Sequence, residues 1–117
     1  MGSLTTHVLD VAQGKPATGV AIALYRVDGD EREPVHEALT GTDGRTGAPL
    51  LRDADFRAGT YELEFAIGAY FSGQDVPSGD PPFLDAVTVR FTVADSAAHY
   101  HVPLLATPWS YTTYRGS

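Results

Sequence analysis

Between positions 59 and 67 the chain reads Gly-Thr-Tyr-Glu-Leu-Glu-Phe-Ala-Ile. This puts Tyr61, Leu63, Phe65 and Ile67 on one side of an extended backbone and Thr60, Glu62 and Glu64 on the other. Strict alternation marks a strand with one buried face. The same period returns at residues 20–27, where Val20, Ile22 and Leu24 oppose Ala21, Ala23 and Tyr25. It returns again at residues 86–93, with Val87, Val89, Phe91 and Val93 on one face. Between such runs 12 glycines and 8 prolines punctuate the chain at short intervals. No segment offers ten or more residues of 3.6-residue periodicity, which argues against a doubly wound α/β fold. Short alternating runs with frequent turn signals predict an antiparallel β-sandwich.

The remaining segments fit that frame. Residues 4–11 read as a strand closed by Gln13-Gly14-Lys15-Pro16, and Asp28-Gly29-Asp30-Glu31 as a turn. Residues 35–42 form a weaker strand ended by Asp43-Gly44-Arg45. Residues 69–73 suit a short helical turn, while Pro77, Pro81 and Pro82 forbid a regular element in the loop that follows. Residues 99–106 and 111–114 complete the set. A chain of 117 residues with no linker or internal repeat predicts one domain over residues 1–117.

Charge and cysteine content exclude several functions. Eight Lys and Arg against 15 Asp and Glu give a net charge of −7, so there is no electrostatic footprint for nucleic acid or an anionic membrane. The absence of cysteine removes disulfides, thiolate nucleophiles and thiolate zinc sites. No apolar run reaches the roughly 20 residues needed to span a bilayer. No basic start followed by an apolar stretch marks a secretory signal, so the expected compartment is the cytoplasm.

Chemistry must then come from histidine, arginine or hydroxyl groups. There are four histidines. His36 stands beside Glu37 in a charged segment and reads as solvated. His99 and His101 are two apart on one strand and share a face. That spacing suits a metal, but zinc needs about three protein ligands and no further cluster is visible, so no metal or cofactor is expected. His7 is in mid-strand, facing opposite to Thr6 and Val8, and alone is as readily a core histidine as a catalytic one. Arg45 alone is an ordinary turn arginine. No nucleophile-elbow pattern surrounds Ser110 or Ser117, and no glycine-rich loop matches a phosphate cradle. The least ordinary stretch is the closing Tyr111-Thr112-Thr113-Tyr114-Arg115-Gly116-Ser117, polar, aromatic and basic where chain ends are commonly frayed.

These residues converge on a family. Leu4-Thr5-Thr6-His7-Val8-Leu9-Asp10 with Gly14-Lys15-Pro16-Ala17, then Thr42-Asp43-Gly44-Arg45, Gly59-Thr60-Tyr61 and Ala69-Tyr70-Phe71, and His99-Tyr100-His101-Val102-Pro103-Leu104-Leu105, resemble the transthyretin-related proteins. The final Tyr114-Arg115-Gly116-Ser117 resembles the branch that hydrolyses 5-hydroxyisourate in urate degradation. The similarity covers nearly the whole chain. Two departures, Phe83-Leu84-Asp85-Ala86 and Trp109-Ser110, touch no catalytic position.

The resemblance implies an all-β, transthyretin-like sandwich of about eight antiparallel strands with one short helix. It also implies a homotetramer, a dimer of dimers, with sites in a central channel. Its catalytic positions fall on His7, Arg45, His101 and Ser117, and its substrate-binding positions on His7, Arg45, Tyr114 and Arg115. The substrate would be a small molecule, 5-hydroxyisourate, opened to 2-oxo-4-hydroxy-4-carboxy-5-ureidoimidazoline. Gly116 would let the backbone turn where a Cβ would meet substrate or a neighbouring subunit.

Bottom-up chemistry agrees. Adding water to an acyl carbon and expelling a ring nitrogen requires a base, a proton donor and a cation for developing oxyanion charge. Two histidines and an arginine supply all three. Competing readings are a ligand-carrying module on the same fold and a structural sandwich with no small-molecule site.

Overall fold

A computed structural model describes residues 1–116 of the chain. Nine strands, one short α-helix and a single 3-10 turn (Asp53–Asp55) succeed one another in them: β1 (Ser3–Asp10), β2 (Lys15–Pro16), β3 (Ala21–Asp28), β4 (Glu31–Leu39), β5 (Leu51–Arg52), β6 (Gly59–Phe65), α1 (Ile67–Ser72), β7 (Val87–Val93), β8 (His99–Ala106) and β9 (Tyr111–Thr113). The strands make two sheets. One runs β2-β1-β8-β9, with β5 also on β1, and the other runs β4-β3-β6-β7.

The alternations read from the sequence become the core. Leu4 and Val8 of β1, Ile22 and Leu24 of β3, Leu63 and Phe65 of β6, and Leu104 of β8 are all buried between the sheets. Each such side chain contributes about 1.5–3 kcal/mol relative to exposure. Phe56 fills one end, edge-on to Tyr100 and tilted against Tyr61. Buried polar groups are satisfied: Thr6 Oγ1 donates to the Val102 carbonyl at 2.6 Å. On the outer face of the second sheet, the half-exposed Arg32 and the exposed Arg90 bridge the buried carboxylate of Glu62 at 3.0 and 2.9 Å.

Four local features depart from the sequence reading. The pair β1–β8 is parallel, in an otherwise antiparallel arrangement. A parallel pair needs a long crossover, and here the whole second sheet lies between the two strands in sequence. Strand β4 begins at Glu31 rather than at residue 35. It is an outer strand, where charged side chains face water and Pro34 can sit beside the bulge opposite Leu24 and Tyr25. Lys15 and Pro16, taken as a closing turn, pair with Asp10 and Leu9 as a two-residue strand, and Leu51 and Arg52 pair with Leu4 and Ser3. Helix α1 starts two residues early because Ile67, Gly68, Tyr70 and Phe71 bury one side of it. Among the described residues no helix is long and apolar enough to cross a membrane.

Candidate active site

Parallel register aligns Ser3 with His99, Thr5 with His101 and His7 with Pro103. Because Leu4, Thr6 and Val8 turn inward, the odd-numbered residues of β1 share the outer face of the sheet. His7, 94 positions from His101 in sequence, therefore reaches the same patch as His99 and His101. His7 Nδ1 lies 2.6 Å from His101 Nε2, and the two rings stack with centroids 4.8 Å apart. The other nitrogen of His101, Nδ1, contacts Thr5 Oγ1 at 2.7 Å.

Arg45 reaches His7 across the other edge of β1. An isolated antiparallel bridge joins the two residues, and the Val8 amide donates to the Gly44 carbonyl at 2.9 Å. The turn is tight: Gly44 has φ +77°, and a Cβ there would stand 2.5 Å from the Val8 carbonyl oxygen. Asp43 closes it by accepting the Arg45 amide at 2.9 Å. The sequence Asp43-Gly44-Arg45 is thus a device for laying an arginine beside His7.

Electrostatics follow from this packing. Burial, reinforced by His7, Arg45 and His99, holds His101 down at about 4. Burial and then the Arg45 guanidinium lower His7 from its ordinary value. Both rings are therefore neutral near pH 7, the form in which an imidazole accepts a proton. The histidines are joined through hydrogen bonds rather than converging on a point, and no cluster of three metal-ligating side chains occurs among the described residues.

The chain end is drawn to the same strand. The Gly116 amide donates to the His101 carbonyl at 2.6 Å. A Cβ at position 116 would stand 2.9 Å from His101 Cδ2, so the histidine ring itself favours glycine here. Arg115 is engaged away from the histidine rings: its guanidinium lies 3.8 Å above the Tyr100 ring and donates to the His99 carbonyl at 3.0 Å. Tyr114 is exposed and lines a groove with Tyr100 and Arg115. Ser117 lies outside the described residues. His36 is exposed on β4, remote from this face.

The residue that single-position reading passed over is Thr5. Its signal was parity, two positions from His7 on the same face, but its contact with His101 depends on the parallel register. The concavity touching this face is small, about 150 Å³, lined by Thr5, Thr6 and Arg45 among others. A larger one of about 660 Å³ lies elsewhere, around Arg26, His36, Arg52 and Arg57. In a single copy the histidine face is open to solvent.

Comparison with known proteins gives four likenesses. A family model described as the HIUase/Transthyretin family matches residues 4–116. A 5-hydroxyisourate hydrolase of Deinococcus radiodurans is 62% identical over 114 residues, 97% of this chain and 95% of that protein. Among solved structures, an (S)-allantoin synthase superposes with a TM-score of 0.93 at 43% identity, covering 99% of this chain but only 44% of that one. Sea bream transthyretin in complex with thyroxine superposes with a TM-score of 0.86 at 29% identity, covering 97% and 94% of the two chains. The solved structures similar to this chain thus carry different names.

Proposed function

Because the chain belongs to the HIUase/Transthyretin family, we propose that its histidine face opens the ring of 5-hydroxyisourate by hydrolysis, as the name of its 62% identical relative states for that protein. The protein is an enzyme of the 5-hydroxyisourate hydrolase type. The observation that carries the reading is the bonded pair His7–His101 with Arg45 bridged to His7.

The chemistry divides among these groups. A neutral imidazole takes a proton from water as its oxygen attacks the acyl carbon. The Arg45 guanidinium, fixed in charge, balances the oxyanion that develops. The imidazole pair then returns a proton to the ring nitrogen as the carbon–nitrogen bond breaks, giving 2-oxo-4-hydroxy-4-carboxy-5-ureidoimidazoline. Ser117 and Tyr114 complete the substrate contacts in this reading. Arg115, held over Tyr100, contributes by anchoring the chain end rather than by binding substrate. Residues 1–117 act as one domain, working in purine degradation in the cytoplasm. Four copies assemble as a dimer of dimers, which walls the open histidine face into a channel.

The test is the ultraviolet decay of freshly generated 5-hydroxyisourate with and without protein. Acceleration is expected, and His7→Ala or His101→Ala should each lower it by about 10²–10⁴, the usual contribution of positioned proton transfer. An unchanged decay rate leaves the ligand-carrying reading standing. Deleting residues 114–117 should cut turnover while the assembly persists.

A further inference from the structure

The face that carries His7 and His101 holds three more polar groups in register, and the five form an unbroken series. Ser3 Oγ lies 2.6 Å from His99 Nδ1. His99 Nε2 lies 3.3 Å from Thr5 Oγ1, and Thr5 Oγ1 lies 2.7 Å from His101 Nδ1. His101 Nε2 then meets His7 Nδ1 at 2.6 Å. One end is Ser3, beside the exposed His99, whereas His101, next to His7 at the other end, is buried.

A neutral imidazole has one N–H and one bare nitrogen, and a hydroxyl donates one hydrogen while accepting others. Fixing the proton on one ring therefore fixes it on all. In the first arrangement His7 Nδ1 donates to His101 Nε2, His101 Nδ1 donates to Thr5, Thr5 donates to His99 Nε2, and His99 Nδ1 donates to Ser3. His7 Nε2 is then bare. In the second, every bond runs the other way and His7 Nε2 carries a hydrogen. Either way both nitrogens of His101 are used within the series. His7 Nε2 has no partner among the described residues.

Resting on the hydrolase reading above, we propose that Ser3, His99, Thr5, His101 and His7 form a proton relay in which His7 Nε2 meets the reacting groups. Thr5, His99 and Ser3 are its positioning residues. As water attacks, its oxygen bonds to the acyl carbon and its proton goes to His7 Nε2. Each donor hands its hydrogen one contact along, and Ser3 releases its own hydroxyl proton to solvent. The series now runs in the second sense, with His7 Nε2–H ready for the leaving nitrogen. When the carbon–nitrogen bond breaks, its electron pair stays on nitrogen and takes that proton. The series reverts as Ser3 takes a proton from solvent. One proton leaves and one enters per turnover, and no ring stays charged beside Arg45.

Thr5→Val removes the hydroxyl and keeps the β-branched shape; His99→Phe breaks the series at an exposed position. With 5-hydroxyisourate, each should lower kcat by about 10²-fold, the low end of positioned proton transfer, with KM unchanged. Thr5→Ser should restore most of the loss. Added imidazole should raise the Thr5→Val rate, and the solvent-deuterium proton inventory, curved in the unaltered protein, should become linear. If the unaltered protein is active and both variants match its kcat and inventory, the relay is overturned and the hydrolase reading stands. Loss in Thr5→Val that neither imidazole nor the inventory registers makes Thr5 a strand-pairing residue and also overturns the relay. If the unaltered protein does not accelerate the decay, the hydrolase reading falls and takes the relay with it.

Discussion

His101 shows how one residue acquires a property its sequence position does not contain. In the strand pattern it looks like its neighbour His99, yet His99 is exposed and His101 is buried against His7. Its resistance to protonation sets a pH dependence. Near pH 7 it is neutral in both the folded and the unfolded chain. Below its ordinary value of 6.5 the unfolded chain takes up a proton that the folded one refuses until about 4. Stability from this residue is therefore present above pH 6.5 and lost as pH falls towards 4. His7, lowered in the same direction, adds to the loss. Thermal unfolding at pH 7 and pH 5 should show a drop in Tm that is smaller in His101→Gln. An equal drop would mean that the ring titrates as if exposed. The sequence made the candidates His7, Arg45 and His101 legible by residue type and motif. It did not make Thr5 legible, because a threonine in a strand is ordinary until its partner across the sheet is known.

Among the elements, α1 and β1 are joined by a buried polar contact rather than by apolar packing alone. Tyr70 donates to Asp10 Oδ2 at 2.7 Å, while Gln13 donates from its amide to Oδ1 and from its side chain to Oδ2. Asp10 sits at the end of the strand that carries Thr5 and His7, so this contact fixes where that strand stops. Burial and the Asp10 carboxylate raise the Tyr70 phenol, which keeps its proton on the donating side. Tyr70→Phe should cost about 1–3 kcal/mol in denaturant unfolding, the penalty for a buried acceptor that loses a partner. A cost near zero would mean that Gln13 alone satisfies the carboxylate. The clearest alternations, at β6 and β7, were readable because one face of each is apolar and the period is two, and β3 was readable as a run apolar on both faces. The short β2 and β5 were not, since two residues carry no period. They form because the edge of β1 that Arg45 also meets would otherwise leave its backbone unpaired.

Across the whole molecule, the histidine face is the outer surface of a sheet, with His99 exposed and His7 half-buried, and in the proposed reading such a face excludes water poorly in one copy. A concavity of about 150 Å³ lined by Thr5 and Arg45 adjoins it in one copy. Exposed Trp109 lies in the turn after β8, Tyr111 on β9 of the same sheet and Tyr114 just past its end. Exposed aromatic residues suit burial against another copy. Light scattering should give four times the mass of the chain, with activity lost on dilution to single copies. A fully active monomer would show that one copy suffices.

The parallel seam between β1 and β8 also bears on how the protein comes into being. His7 emerges early from the ribosome and must wait for His101, with the whole of the opposing sheet made in between. No nascent chain can assemble the pair before β8 has been made. Closing that seam is a contact between distant parts of the chain, which makes it slow by its topology. Until it closes, β1 has one unpaired edge and an apolar face, so the same seam is where a newly made chain is open to capture by a chaperone or by another copy of itself.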